Sequence, residues 1–325
     1  MKGMRYIAAL LVVAGASSPT AVQAAAPEYP IRPLRYIVAF PPGGASDIVA
    51  RIMADGLTEV LGQQVVVDNR AGASGTIGAE IAAHATPDGY TIFACNIASL
   101  AVSPALYRKL GYDAGRDFTP IGMVGSNPNA LSVNPSLPST IAQFIELAKS
   151  RPGKLNYASA GVGTSPQLSM ELFKLGAGLN IVHVPYRGIP QALVDLMANQ
   201  VQAMFSTVPS VLSAARAGQV HVLGVTSKAR FPDLPDVPTI AESGLPGFEV
   251  ISWQGLCTPT GVPKAIRARI EAVLSKALAL PETRKRLAEQ GFQPTPLAAA
   301  KYGDFISAER VKWSKVVKDL KIPLR

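Results

Sequence analysis

The sequence has few of the residues that build metal and redox sites. Its 325 residues include only two cysteines, Cys95 and Cys257, and only three histidines, His84, His183 and His221. These five residues are scattered, and none has the short spacing typical of a metal site, so we expect no metal. If the chain is exported, its two cysteines can pair in a disulfide. Two separate buried thiols are the simpler interpretation.

Long apolar runs are also scarce. The run at residues 7–15 is too short to span a bilayer, which takes about 20 residues in a helix. It follows Lys2 and Arg5, and small residues lead from it to Ala24. A charged start, a short apolar run and a small-residue cleavage site are typical of a signal peptide. We therefore assign residues 1–26 to a signal peptide and expect an exported, soluble protein.

The basic net charge is not spread along the chain. The formal charge is +9, but residues 264–325 hold 14 basic and 6 acidic residues, and the signal peptide holds two more basic ones. The remaining residues, 15 basic and 16 acidic, are nearly balanced. The excess therefore belongs to C-terminal helices, where charged residues usually form solvated faces. A nucleic-acid partner is not expected.

The order of apolar runs predicts the fold class. From residue 34 onward, strand-like runs alternate with helical patterns, which is typical of an α/β fold with a largely parallel sheet. The pattern falls into two sets, and the second begins near residue 129. In each set a strand passes through a glycine-rich turn into a helix. These turns contain Gly43 and Gly44 in the first set, and Gly161 and Gly163 in the second.

The two glycine-rich turns are candidate anion sites. A helix N-terminus carries unpaired N–H groups and about half a positive charge, and glycines leave that backbone open to a ligand. Asp47 looks unfavourable beside an anion, but it lies four residues before Arg51, and the two can form an ion pair. Two such turns across a cleft would suit a ligand with two negative ends. The alternative is that the glycines only permit tight turns.

Enzyme signatures are missing from the sequence. It has no G-x-S-x-G, no G-x-x-x-x-G-K-[ST] and no H-E-x-x-H motif, so no catalytic residue is assigned. Residues 72–78, GASGTIG, resemble a dinucleotide-binding fingerprint. However, Asn69, Arg70 and Ala71 separate them from the preceding strand, and no acid ends the next strand. We expect no cofactor.

Several motifs together resemble one family, the Bug (TctC-type) extracytoplasmic receptors of tripartite tricarboxylate transporters. The resemblance runs from about Tyr29 to the C-terminus. The matching stretches, in order, are YP-x-RP at 29–33, FPPGG-x-x-D at 40–47, NR-x-GA at 69–73 with Gly78, PDGYT at 87–91, PALY at 104–107, SAG-x-GT at 159–164, VPYRG at 184–188, P-x-VPT at 235–239, E-x-GLPG at 242–247, and Trp313.

The resemblance implies a two-lobed periplasmic binding protein of type II, the Venus flytrap class, in which two hinge strands join mostly parallel sheets. Residues 27–127 and 249–325 would form lobe one, and residues 128–248 lobe two, with crossings near 128–134 and 247–255. The protein would be a periplasmic, monomeric and non-enzymatic receptor. It would capture a small carboxylate and deliver it to an inner-membrane permease of the TctA/TctB type.

In that family the ligand's carboxylates lie between the two turns singled out above. Here the turns correspond to Phe40–Asp47 and Ser159–Thr164. The predicted ligand-binding residues are Phe40, Gly43, Gly44, Ala45, Ser46, Asp47, Asn96, Ser99, Ser159, Gly161, Gly163, Thr164, Gln167, Tyr186, Arg187, Ser206 and Trp253. Among them, Arg187 is a candidate carboxylate clamp, with a surface role as the alternative. Trp253 is expected either to line the cleft or to pack.

Two departures from the family pattern bear on the ligand. Many relatives carry histidine where this chain has Gln167, and many carry an acid where it has Ser206. Without that acid a ligand ammonium loses a partner, so we expect a non-amino carboxylate. Backbone sites carry little side-chain information, and aliphatic, aromatic and tricarboxylate ligands all stay open. A sensory receptor for a membrane signalling partner and an exported α/β enzyme are the alternative functions.

Overall fold

The structure, a computed structural model, describes residues 29–320 together with Ile322 and Leu324. The predicted signal peptide, residues 1–26, lies outside the described residues. Within the described part, no helix combines the length and the apolar character that crossing a bilayer would require.

The first lobe is built on a parallel three-stranded unit in which β1 (Leu34–Val38) pairs with β2 (Val65–Asn69) and β3 (Thr91–Asn96). Helix α1 (Ala45–Leu61) packs on this unit through one apolar face. That face is formed by residues at helical spacing, and all are buried: Val49, Ile52, Met53 and Leu57. The helix ends at Gly62 in the left-handed conformation typical of a helix C-cap. The elements are β1 (Leu34–Val38), α1 (Ala45–Leu61), β2 (Val65–Asn69), a 3-10 turn (Ala73–Gly75), α2 (Thr76–Ala83), β3 (Thr91–Asn96), a π-helical turn (Ala98–Val102) and α3 (Ser103–Leu106).

The second lobe repeats this design, and β5 (Asn156–Ser159) pairs in parallel with β6 (Val182–Pro185) and β7 (Ala203–Thr207). Its elements are β4 (Phe118–Val133), α4 (Ile141–Ser150), β5 (Asn156–Ser159), α5 (Ser165–Ala177), β6 (Val182–Pro185), α6 (Ile189–Met197), β7 (Ala203–Thr207), α7 (Val208–Arg216) and β8 (His221–Val225). The chain then returns to the first lobe through β9 (Ile251–Pro259), α8 (Lys264–Ala279), α9 (Pro281–Glu289), β10 (Gln293–Ala298) and α10 (Ala299–Asp319).

Two strands connect the lobes. Up to Pro128, β4 pairs with β9 beside β3, and from Asn129 onward it pairs with β7 and β8. On the return path the N–H of Val250, just before β9, donates to the carbonyl of Thr226 in the second lobe at 3.1 Å. The molecule is therefore an α/β protein, as the sequence pattern predicted, with two lobes and two crossing strands, as the family resemblance implied.

Each sheet is buried on both faces by separate apolar clusters. On β1, Ile37 faces one cluster while Tyr36 and Val38 face another. On β7, Met204 and Phe205 likewise alternate between two clusters. Such alternation follows from the two-residue period of a strand.

The two cysteines form a disulfide between Cys95 on β3 and Cys257 on β9. The expectation of two separate thiols is wrong. The reason is the antiparallel pairing of β3 with β9, which joins segments 162 residues apart and leaves the two Cα atoms 5.9 Å apart. That separation lies within the usual range for a disulfide.

Candidate functional site

A cavity lies between the two lobes, and we call it the interlobe cavity. It forms where β1, β3, β5, β6 and β7 end, which is the edge at which α/β sheets usually bind ligands. Its volume is about 60 Å³. The lining residues are Phe40, Pro41, Gly44, Ala45, Ser46, Asn96, Ile97, Ala98, Ala160, Thr164, Ser165, Pro166, Gly188, Ile189, Thr207, Ser210, Ser252 and Gln254.

Four helices begin at the interlobe cavity. Each contributes its N-cap residue to the lining: Gly44 for α1, Thr164 for α5, Gly188 for α6 and Thr207 for α7. The helices are 17, 13, 9 and 9 residues long. Because the positive end of a helix dipole lies at its N-terminus, all four favour negative charge in the same small space.

The turn before α1 is organised by Asp47, which accepts a hydrogen bond from the N–H of Gly43 at 2.9 Å. Its carboxylate also accepts one from Asn69 at 2.9 Å and pairs with Arg51 at 2.9 Å. The predicted ion pair is therefore confirmed. Burial raises the pKa of Asp47, but the hydrogen bonds from Arg51, Gly43 and Asn69 and the charge of Arg51 outweigh it, so the pKa lies below its ordinary value.

The turn before α5 repeats this arrangement with a neutral side chain. Gln167 accepts a hydrogen bond from the N–H of Gly163 at 2.8 Å. Gly43 and Gly163 both have positive φ, +80° and +83°, which favours glycine there. Their N–H groups are thus occupied by the protein's own side chains. The N–H groups of Ser46 and Ser165, in contrast, have no acceptor among the described residues.

The glycines of the second lobe lie where the lobes touch. A Cβ on Gly161 would approach the Oγ of Ser74 to 2.6 Å, and one on Gly163 would approach Leu106 to 2.6 Å. Val162 is buried in a first-lobe cluster. These contacts, made by residues on either side of the interlobe cavity, define a closed arrangement of the lobes. The glycines permit this close approach.

Six of the predicted site residues line the interlobe cavity. They are Phe40, Gly44, Ala45, Ser46, Asn96 and Thr164. Others lie directly behind the lining and hold it in place. Asp47 and Gln167 cap the turns, and Ser99 Oγ donates to the carbonyl of Asn96 at 3.2 Å. Ser159 Oγ accepts from the N–H of Gly161 at 3.1 Å.

Three predicted residues of the second lobe do not reach the cavity. Arg187 is exposed and is not among the lining residues, which is the surface position given as the alternative to a carboxylate clamp. The hydroxyl of Tyr186 donates to Asp195 at 2.5 Å, and this contact holds the ring within the lobe. Ser206 is fully buried, and Thr207 lines the cavity in its place.

Trp253 also points away from the interlobe cavity. On β9 the neighbouring Ser252 and Gln254 face the cavity, so Trp253 faces the opposite side of the sheet. There its indole donates to Glu309 Oε2 at 2.9 Å, and Trp313 donates to the same oxygen at 2.8 Å. Of the two expectations for Trp253, packing is the one that the structure shows.

Sequence reasoning did not assign the N-termini of α6 and α7 to the site, although they contribute Gly188, Ile189, Thr207 and Ser210 to the lining. A signal was present, because proline stands in the first turn of both helices, a position that proline favours. The sequence does not indicate that Ser252 and Gln254 line the cavity. Both faces of β9 are buried, so the pattern of residues does not distinguish the face toward the cavity from the other one.

No charged side chain is found among the cavity-lining residues of the described chain. The described residues also contain no cluster of three or more His, Cys, Asp or Glu that would hold a metal ion. The site consists of neutral donors, namely N–H groups, hydroxyls and amides, facing an apolar wall. A two-lobed fold with such a cavity between the lobes defines the class of solute-binding receptors.

Comparison with known proteins gives the family. The family described as "Tripartite tricarboxylate transporter family receptor" matches residues 49–322. The "UPF0065 protein in tcbD-tcbE intergenic region" of Pseudomonas sp. (strain P51) is 40% identical over 322 residues, covering 98% of this chain and 95% of that protein. The chain therefore belongs to the tripartite tricarboxylate transporter receptor family, as its motifs predicted.

Solved structures agree with this assignment. "R. palustris Rpa4515 with adipate" has a TM-score of 0.89 and 35% identity, covering 92% of this chain and 100% of that one. "MatC (Rpa3494) from Rhodopseudomonas palustris with bound malate" has a TM-score of 0.83 and 33% identity, covering 89% of this chain and 100% of that one. The predicted two-lobed periplasmic-binding-protein fold is confirmed.

Proposed function

We propose that this protein is a periplasmic receptor that binds a small dicarboxylate in the interlobe cavity and delivers it to an inner-membrane permease. The observation that carries the proposal is the convergence of four helix N-termini on a cavity whose lining, within the described part of the chain, has no charged side chain. Each N-terminus stabilises a nearby anion by about 0.3–1 kcal/mol, and by up to about 2 kcal/mol where it is partly buried.

The ligand's carboxylates are assigned to the two turns identified in the sequence. One would accept the free N–H of Ser46 at α1, and the other the free N–H of Ser165 at α5. We assign residues 27–127 and 249–325 to lobe one and 128–248 to lobe two. The ligand would then bridge the lobes and stabilise their closed arrangement.

The size of the interlobe cavity supports a small ligand. A water molecule needs about 10–15 Å³ of such volume, so a cavity of about 60 Å³ has room for about four to six waters. Ligands of the size of malate or adipate, which are bound in two similar structures, are consistent with this space.

The cavity's chemistry favours a carboxylate without an ammonium group. An ammonium taken out of water needs a carboxylate partner, and no Asp or Glu is among the lining residues of the described chain. Hydroxyl and amide groups from Thr207, Ser252 and Gln254 would serve neutral polar groups instead. Tight binding of aspartate or glutamate, without binding of plain dicarboxylates, would contradict this assignment.

The test is a thermal-shift series on the mature protein with succinate, malate, adipate, an aromatic dicarboxylate, citrate, aspartate and glutamate. At a hundredfold excess over its Kd, a ligand stabilises the protein by about 2.7 kcal/mol, which corresponds to a shift of about 5 °C. We expect at least one dicarboxylate to reach this shift, while both amino acids do not. No shift with any carboxylate would refute the proposal.

A further inference from the structure

One hydrogen bond crosses the interlobe cavity. The N–H of Ala45, the first residue of α1, donates to the Oγ of Ser210 at 3.0 Å. Ser210 lies in the first turn of α7, 165 residues further along the chain and in the other lobe. Among the described residues, no other hydrogen bond joins the lobes away from the crossing strands.

The hydroxyl of Ser210 lies beside the N–H group assigned to the ligand. Ala45 and Ser46 are consecutive residues of the first turn of α1, and both line the cavity together with Ser210. A carboxylate on the Ser46 N–H would therefore lie next to a hydroxyl that the second lobe supplies only when the lobes are together.

Ser210 can make both contacts at once because a hydroxyl accepts and donates. Its oxygen already accepts the N–H of Ala45, and its proton is left to donate. The Oγ1 of Thr207 lies 3.0 Å away and can take that proton within the second lobe. A ligand carboxylate, which only accepts, would be a stronger acceptor because it is charged.

We propose that Ser210 couples carboxylate binding to lobe closure. When a carboxylate occupies the N-terminus of α1, Ser210 donates to it while still accepting from Ala45, and so ties the second lobe to a ligand held by the first. Ser210 thereby favours ligands that have a hydrogen-bond acceptor at this end. The inference rests on the proposed function and adds to it a residue that determines affinity and specificity.

The test compares Ser210→Ala with Ser213→Ala, an exposed serine three residues further along α7. The probe is adipate, or the dicarboxylate that gives the largest thermal shift. Loss of a hydrogen bond to a charged group predicts a rise in Kd of about tenfold to a hundredfold for Ser210→Ala. The loss should appear in koff more than in kon, because only the closed complex contains the bond.

A purely structural role would be visible in the protein without ligand. We expect Ser210→Ala to leave the ligand-free Tm within about 2 °C of the wild type, and Ser213→Ala to bind as the wild type does. The inference would be overturned if Ser210→Ala bound the ligand with the same Kd and koff as the wild type. It would also be overturned if the loss of affinity came together with a lower ligand-free Tm. If the wild type binds no carboxylate at all, the proposed function fails first, and the role of Ser210 fails with it.

Discussion

Gly188 offers a way to block lobe closure without disturbing either lobe. It is the N-cap residue of α6, and its φ of −177° is an extended conformation that any residue can adopt. A Cβ built there would lie 2.4 Å from the Cγ and 2.9 Å from the Cδ of Pro41, which belongs to the other lobe. Because the proline ring is rigid, it cannot turn away. Gly188→Ala should therefore be strained only when the lobes are closed.

The expected loss of affinity follows from this contact. Ordinary contacts of a Cβ lie at 3.4–4 Å, so the lobes would have to separate locally by about 1 Å or more. Overpacking of this kind costs about 1–3 kcal/mol, which corresponds to a rise in Kd of about 5-fold to 150-fold. Since the open form carries no clash, the loss should appear mainly as a faster koff.

The assay is calorimetry for Kd and stopped-flow mixing for koff, with adipate as ligand. The matched control is Gly303→Ala in α10, where a Cβ would lie 3.8 Å from the nearest atom outside the helix, an ordinary contact. The ligand-free Tm of Gly188→Ala should lie within about 2 °C of the wild type. Wild-type affinity and koff in Gly188→Ala would refute the reasoning, because the bound state would then lack the contact with Pro41.

Two further predictions concern stability. The folded-state pKa of Asp47 is lowered, so the stability that its charge provides is fully present above its unfolded pKa of about 3.9 and is lost as pH falls through the folded pKa. Asp47→Asn should therefore lower the free energy of unfolding by about 1–3 kcal/mol at pH 7. Urea unfolding should show that the stability difference between wild type and variant shrinks below about pH 4. The disulfide joins Cys95 and Cys257, which are 162 residues apart in the sequence, and so closes a long loop. Replacing both by alanine should lower the free energy of unfolding by about 2–5 kcal/mol. A reductant should lower the wild-type Tm but not that of the double variant.

The sequence predicted those parts of the fold whose patterns are local. Helix α1 shows apolar residues at helical spacing and ends at a glycine, and both signals are local in the sequence. The first half of β4, up to Pro128, was not predicted, because it contains two prolines and two glycines and gains its strand structure from pairing with β9. The disulfide also depends on such distant pairing, which leaves no trace in the spacing of Cys95 and Cys257.

The candidate site shows the same division between local and distant information. Both glycine-rich turns were found from the sequence, because a strand, glycines and a helix follow one another directly. Gly188 and Ser210 line the same cavity, but they reach it only because β6 and β7 lie beside β5 in the second sheet. The position of Trp253 was undecided because its strand is buried on both faces, and the cross-strand register alone determines which face meets the cavity.

The glycines of the two lobes have different physical roles, although their turns look alike in the sequence. In the first lobe, a Cβ on Gly44 would meet no atom closer than 3.6 Å, so this backbone stays open to the cavity. In the second lobe, Gly161, Gly163 and Gly188 would each place a Cβ within 2.6 Å of a first-lobe side chain. Those second-lobe positions have to stay small so that the lobes can meet, whatever the ligand is. The second-lobe glycines therefore permit lobe closure, whereas the glycine of the first-lobe turn keeps its backbone accessible from the cavity.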